Sequence, residues 1–167
     1  FMGAPYLNRL NVFEELTQWE LGIWGEGWDN VNLSPRLKAC IKGGRRRISV
    51  EESVKIYCCA DIIINLHSSP FVKGISPNGD FVNPRTFEIA GCSGFQLCDR
   101  RSELPLVFKP DDEIVLFDSI TELKELIEFW LSRPTQRKEI SLKAQKRAYA
   151  EHTYRHRAIE IVRLIEN

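Results

Sequence analysis

The chain has 167 residues, 43% of them hydrophobic and 28% charged, and Lys+Arg (23) equals Asp+Glu (23). That length supports one compact domain with a sizeable core, and the balanced charge leaves no footprint for nucleic acid or an anionic membrane as partner. No apolar run approaches the roughly 18 residues that cross a bilayer and no secretory signal opens the chain, so a cytoplasmic protein is expected. The first residue is Phe1 rather than Met. The sequence therefore reads as beginning inside a longer protein, with residues 1–3 as the tail of a strand.

Residues 8–19 place Leu10, Phe13 and Leu16 on one side, which predicts a helix. Residues 21–24 read as a short strand closed by the turn 25–27. Residues 29–47 read as irregular, with Ser34-Pro35, Gly43-Gly44 and the basic run Arg45-Arg46-Arg47. Ser49 to Glu52 fits a capping box opening a helix that runs to about Ala60. The β-branched run 61–66 fits a strand covered on both faces, as in a parallel sheet. Residues 68–82 are a loop punctuated by Pro and Gly. Asn83-Pro84 then announces a helix, Asn as cap and Pro at the first helical position. That helix stops at 91–94, and strands follow at 95–98 and 113–117. Ser119 with Glu122 opens a further helix bearing Leu123, Leu126, Ile127, Trp130 and Leu131, which Pro134 ends. Residues 135–151 form a more polar helix, and Thr153 caps a last one.

Five cysteines, Cys40, Cys58, Cys59, Cys92 and Cys98, are an odd number without a CxxC, so neither a disulfide framework nor a zinc ribbon is expected. Cys58 and Cys59, in a helix-like stretch, read as buried apolar filler in a reducing cytoplasm rather than as a redox pair. Strands alternating with helices predict an α/β fold: a Rossmann-like three-layer sandwich around a parallel sheet, with helices at the C-terminal end. In such sheets ligands bind beyond the carboxyl ends of the strands. Residues 67–88 are the best candidate site by that rule.

The chemistry at that helix start suits a nucleoside diphosphate. The N–H groups of residues 83–86, including Asn83 and Thr86, and the positive end of the helix dipole can hold an anion, and Arg85 adds a guanidinium able to grip a phosphate. Glu88, about a turn further in, is an acceptor for two vicinal sugar hydroxyls. No dinucleotide glycine fingerprint and no P-loop is present. Plainer readings stand beside each of these. Glu88 could be a surface residue paired with a base, Arg85 could bridge to a carboxylate, and Asp80 could be a turn residue. Trp24 and Trp28 could flank a nucleobase or pack in the core. His152 and His156 have a spacing that could hold zinc but lack a third ligand, and a structural role is expected. Residues 45–47 could touch phosphate or nucleic acid, and with zero net charge they read rather as a solvated basic loop.

Residues 83–96, Asn-Pro-Arg-Thr-Phe-Glu-Ile-Ala-Gly-Cys-Ser-Gly-Phe-Gln, resemble the donor-site motif of the group 1 glycosyltransferases, especially the spore-maturation-protein-like (CgeB-like) branch. Residues 3–9, 113–115, 122–123 and 151–157 are similar to that branch too. The resemblance implies the C-terminal, donor-binding half of a GT-B fold, with the N-terminal acceptor domain outside this chain. It implies a nucleoside-diphosphate (NDP) sugar as substrate, no metal and no cofactor, and hexosyl transfer to an unspecified acceptor. It assigns Glu88 to the ribose diol, Asp80 to the sugar, and Arg9 with Gly3, in the loop after the first strand, to the diphosphate. It supplies no general base within these residues, and this half alone is expected to turn over little or nothing. The alternative is a Rossmann-like nucleotide-binding or regulatory module that catalyses nothing. A receiver-like interaction domain would want an acidic cluster at strand ends with a Lys, and that pattern is absent.

Overall fold

The computed structural model of the protein describes residues 1–43, 46–69, 74–75 and 81–166. Its elements run α1 (Leu7–Glu14), β1 (Ile23–Trp24), a 3-10 turn (Trp28–Asn30), α2 (Pro35–Ala39), β2 (Ile41–Gly43), α3 (Val50–Cys59), β3 (Ile63–Asn65) and α4 (Pro84–Gly91). They continue with β4 (Gln96–Asp99), α5 (Leu104–Val107), β5 (Val115–Phe117), α6 (Ile120–Leu131), α7 (Pro134–Glu151) and α8 (Tyr154–Glu166).

All strand pairing is parallel. β3, β4 and β5 form one sheet in that order, in register Ile63–Gln96 and Leu97–Val115. β1 and β2 form a second, which Met2 extends by a parallel bridge to Trp24. Met2 also packs against the cluster of Tyr57, Ile63 and Ile89, so the first residues of the chain lie between the two sheets. The spatial succession is then β2, β1, Met2, β3, β4, β5. Chain order reverses between Met2 and β3, which is the switch point of a doubly wound domain. A single core joins both halves: Phe1 and Ile23 from one, Ile64, Leu97, Val115 and Phe117 from the other, with Phe13 and Ile127 from the flanking helices. The expected α/β layered architecture is the one observed.

β3 and β5 are buried along their whole length, as unbroken apolar runs covered on both faces should be. The helix starts follow their caps. Ser34, Ser49, Asn83 and Ser119 each accept a hydrogen bond from the amide three residues on. Neither capping box closes as expected. Glu52 turns instead to Arg46 at 2.7 Å, and Glu122 accepts from the Asp118 amide.

Four expectations need correction. Residues 29–47 are not irregular, because α2 and β2 lie within them; both are too short for a periodic pattern to register. Pro134 does not simply end a helix. It opens α7, where its missing N–H costs nothing at the first helical position. Residues 104–107 form a one-turn helix that no periodicity announces. Cys58 and Cys59 are exposed rather than buried, because α3 turns Tyr57, its only buried residue, inward and leaves its last turn on the surface. Cys40 and Cys98 are buried, and all five thiols are free. Among the described residues no helix is long and apolar enough to cross a membrane.

Candidate functional site

The site is built at the switch point, where the end of the first strand faces the N-terminus of α4. Helix α4 is held on two sides. Ile89 and Ala90 are fully buried, and Ala144 and Ala148 of α7 are small enough to let the two helices approach closely. Gln145 anchors the far end by donating to the Gly91 carbonyl at 2.9 Å.

A buried polar network sets the near end. The Asn83 amide donates to His67 Nε2 at 3.1 Å, so His67 Nδ1 carries the hydrogen and donates to Asp99 at 2.6 Å. Asp99 also accepts from the His67 amide and from Arg101. Asn65 donates to Thr86 Oγ1 at 2.9 Å and to Gln96 Oε1 at 3.1 Å. β3 and β4 thus fix where α4 begins. His67, Cys98 and Asp99 lie close enough together to share a metal ion. Both ring nitrogens of His67 and both oxygens of Asp99 already have protein partners, and burial pushes the Cys98 thiol up. The triad is accounted for as structure.

Above this network lies a cleft of about 420 Å³ walled by Gly3, Ala4, Gly25, Glu26, Arg47, Ser53, Tyr57, Asn83, Pro84, Arg85 and Glu88, among others. Four of the residues singled out in the sequence, Gly3, Asn83, Arg85 and Glu88, therefore line one cleft. Glu88 is exposed and has no hydrogen-bond or ion-pair partner among the described residues. Arg85 is half-buried, with its guanidinium 3.4 Å from Asn65 Oδ1 and 5.3 Å from the centre of the Phe1 ring. No carboxylate pairs with it among the described residues. In the first turn, Pro84 has no N–H, the Asn83 amide is taken by His67, and that of Thr86 by the Asn83 side chain. The Arg85 amide is the one donor of residues 83–86 left without a partner among the described residues, fewer than the sequence suggested.

The other predicted residues sit elsewhere. Thr86 is fully buried beneath the cleft, its hydroxyl occupied by Asn65 and Asn83. Arg9 is 3% exposed and does not line the cleft. Its guanidinium clamps two loops, donating to the Leu66 carbonyl at 2.9 and 3.2 Å and to the Ala4 carbonyl at 3.0 Å. Burial first and Arg85 second lower its pKa to about 9, so it remains a cation at neutral pH. Gly3 separates the two arginines: a Cβ there would lie 2.9 Å from Arg85 and 3.2 Å from Arg9. Both Gly3 backbone groups are engaged, its amide by Trp24 and its carbonyl by Trp28 Nε1 at 2.7 Å. Asp80 lies outside the described residues.

Trp28 is core, packed 6.2 Å from Phe13 ring to ring, and Trp24 lines a different, more apolar cleft. His152 sits between Phe87 and Phe108 and bonds the Val107 carbonyl, while His156 bonds Thr153, so neither faces a metal. Two further residues contribute, Arg47 from the basic run and Tyr57, which the sequence did not single out. Arg47 is exposed and also lines the cleft, and Tyr57 reaches it from α3. The signal for Tyr57 was its place as the one aromatic residue of α3. Arg47 carried no signal to distinguish it from its two basic neighbours.

The fold is Rossmann-like, and the cleft at its switch point is lined by charged side chains of both signs, Arg47 and Arg85 with Glu26 and Glu88. Residues 9–163 match the family model for glycosyl transferase-like proteins, and the chain belongs to that family. The spore protein CgeB of Bacillus subtilis (strain 168) is 27% identical over 161 residues, which is 92% of this chain and 49% of CgeB. Among solved structures, a sucrose-phosphate synthase from Thermosynechococcus elongatus superposes with a TM-score of 0.65 at 13% identity, over 96% of this chain and 42% of that one. A glycosyltransferase from Rickettsia africae ESF-5 superposes with a TM-score of 0.68 at 12% identity, over 98% and 46%. The fold is that of a GT-B glycosyltransferase domain. The chain spans about half the length of the relatives it matches.

Proposed function

We propose that this chain is the nucleotide-sugar-binding half of a GT-B glycosyltransferase, acting in the cytoplasm with a second, acceptor-binding domain. In the cleft an NDP-hexose places its diphosphate against the Arg85 guanidinium and amide, while Glu88 accepts hydrogen bonds from a sugar diol. The observation that carries this is that one cleft holds a carboxylate without an ion-pair partner and a guanidinium without a carboxylate partner among the described residues. Two isolated charges of opposite sign that do not pair with each other suit a ligand offering both an anion and hydroxyls.

Cleavage of the sugar–phosphate bond leaves negative charge on the departing diphosphate. Donors already aimed at that charge lower the barrier without reorganising. Arg85 and Arg47 supply the positive charge here, so the reading invokes no metal, and no residue of this chain is assigned as general base.

The test is a panel of UDP, GDP and ADP against the 167-residue chain, read by melting temperature and calorimetric titration. At least one should bind and raise the melting temperature, with or without EDTA. Glu88→Ala should abolish most of that rise while leaving the unliganded protein within about 0.5 kcal/mol, since the side chain is exposed and unpartnered. No binding of any of the three at millimolar concentration would overturn the donor-site reading. Binding that EDTA removes would overturn its metal-free form.

A further inference from the structure

We infer that Tyr57 is a ligand-contacting residue of this cleft, its phenolic hydroxyl donating a hydrogen bond to the anionic group that Arg85 holds. The inference rests on the donor-site reading and adds to it a contact from the opposite wall, made by a residue outside the motif of residues 83–96.

Tyr57 is 2% exposed and is the one buried residue of α3. Its hydroxyl is buried and has no partner of hydrogen-bond geometry among the described residues; Arg85, close enough to act on its oxygen, is itself a donor and leaves the hydroxyl hydrogen without an acceptor. Buried tyrosine hydroxyls ordinarily find a partner, and an orphan is costly to keep. The same side chain lines the cleft together with Arg85 and Glu88. Those two are also the leading charged groups acting on the hydroxyl, with Arg85 the stronger. Burial pushes its pKa up, so it keeps its hydrogen at neutral pH and can only gain from an acceptor.

Among the described residues no acceptor lies within hydrogen-bond reach of that hydroxyl. Glu88 stands exposed at the rim of the cleft, and the Asn65 and Thr86 oxygens beneath it are already shared within the network under α4. An anion seated on the Arg85 guanidinium brings acceptor oxygens to the guanidinium's own neighbour. Ser53, one turn earlier on α3, lines the same wall, and its hydroxyl hydrogen is spent on the Ser49 carbonyl at 2.7 Å. Tyr57 is thus the free side-chain donor that α3 brings to the cleft.

The test is Tyr57→Phe in the 167-residue chain, titrated with whichever nucleoside diphosphate the wild type binds and separately with inorganic pyrophosphate. Phe fills the same space and removes only the orphan hydroxyl, so the unliganded melting temperature should hold or rise. Affinity for both ligands should fall about tenfold or more, the usual loss for a hydrogen bond to a charged group. Unchanged affinity in a variant of unchanged stability overturns the inference and leaves the donor-site reading standing. A loss for the nucleotide but not for pyrophosphate overturns it too, because the contact is then not to the anion. A lower melting temperature without ligand would show a structural partner for the hydroxyl, and the inference would fall on that result as well. If the wild type binds no nucleoside diphosphate, both readings fail together.

Discussion

Gly3 has room for a hydrogen atom and for nothing larger. The space a methyl group would need is held by Arg85, Phe1 and Arg9, at 2.9, 2.9 and 3.2 Å from an ideal Cβ. Gly3→Ala must therefore push one guanidinium or the Phe1 ring aside, and overpacking of that kind costs about 1–3 kcal/mol. Arg9 is pinned by three hydrogen bonds, so the half-buried Arg85 is the group that yields. The expected outcome is a lower melting temperature together with nucleotide affinity reduced more than stability alone would suggest. Titration of the variant at a temperature where it is fully folded checks this, and undiminished affinity there would show that Arg85 does not hold the anion. Residues 83–88 were legible as a site because helix-start chemistry is local: a cap, a proline, a cation and a carboxylate follow one another in sequence. Tyr57 was not, and Arg47 was legible only as one of three basic residues able to touch phosphate, because both reach the cleft only once the crossovers bring strand ends together. Arg9 shows the converse. Its type suited a phosphate, but the carbonyls of Leu66 and Ala4 had prior claim on it.

Among elements, α4 carries most of the site and depends on its first turn. Asn83 accepts from the Thr86 amide at 3.1 Å and from the Thr86 hydroxyl at 3.2 Å, and donates to Asn65 at 3.2 Å. Asn83→Ala removes the cap and strands two donors, and should destabilise by about 1–2 kcal/mol. In a domain of this size that is a fall of roughly 2–8 °C in melting temperature. A thermal melt checks it, and no change would mean the helix start is held by the sheet network alone. The other end of the α4 neighbourhood responds to pH. Burial lowers the His152 pKa from its usual value, and its Nδ1 accepts from Arg157 at 3.0 Å, which a protonated ring cannot do. The unfolded chain therefore binds the proton more readily than the folded one. The His152 contribution is complete above about pH 6.5 and is lost as pH falls below that value towards the lowered folded pKa. His152→Phe keeps an aromatic ring between Phe87 and Phe108 without the titration. Its melting temperature should fall less than that of wild type between pH 7 and pH 5, and parallel curves would rule out the linkage. Element type was legible wherever a run was long or buried on both faces, as in β3 and α6. α2 and β2 hid because five and three residues are shorter than the periods that identify them.

For the whole molecule, the layered order was legible because strand–helix alternation permits few topologies once crossovers are right-handed. What alternation cannot reveal is which surfaces the core leaves uncovered. Helix α8 is the clearest case: none of its 13 residues is buried, and no core cluster includes one. Ile161, Val162, Leu164 and Ile165 stand 51–78% exposed in its second half. An apolar surface of that kind on a chain that spans about half of its relatives should be a cause of self-association in solution rather than a support of the fold. Among the described residues, α8 is tied to the rest of the domain near its first turn. Arg157 reaches back to His152, His156 bonds Thr153, and Tyr154 and Arg157 line a shallow pocket beside Phe87. Ending the chain after Thr153 should therefore cost no more than about 1 kcal/mol, a fall of at most about 4 °C in melting temperature. The shortened chain should also sediment as a monomer at concentrations where the longer one begins to associate. Nucleotide binding should persist, since no residue of α8 lines the cleft at α4's N-terminus. A shortened chain that lost cooperative unfolding would show instead that α8 is integral to this domain, and that the hydrophobic core extends to a face it shares with that helix.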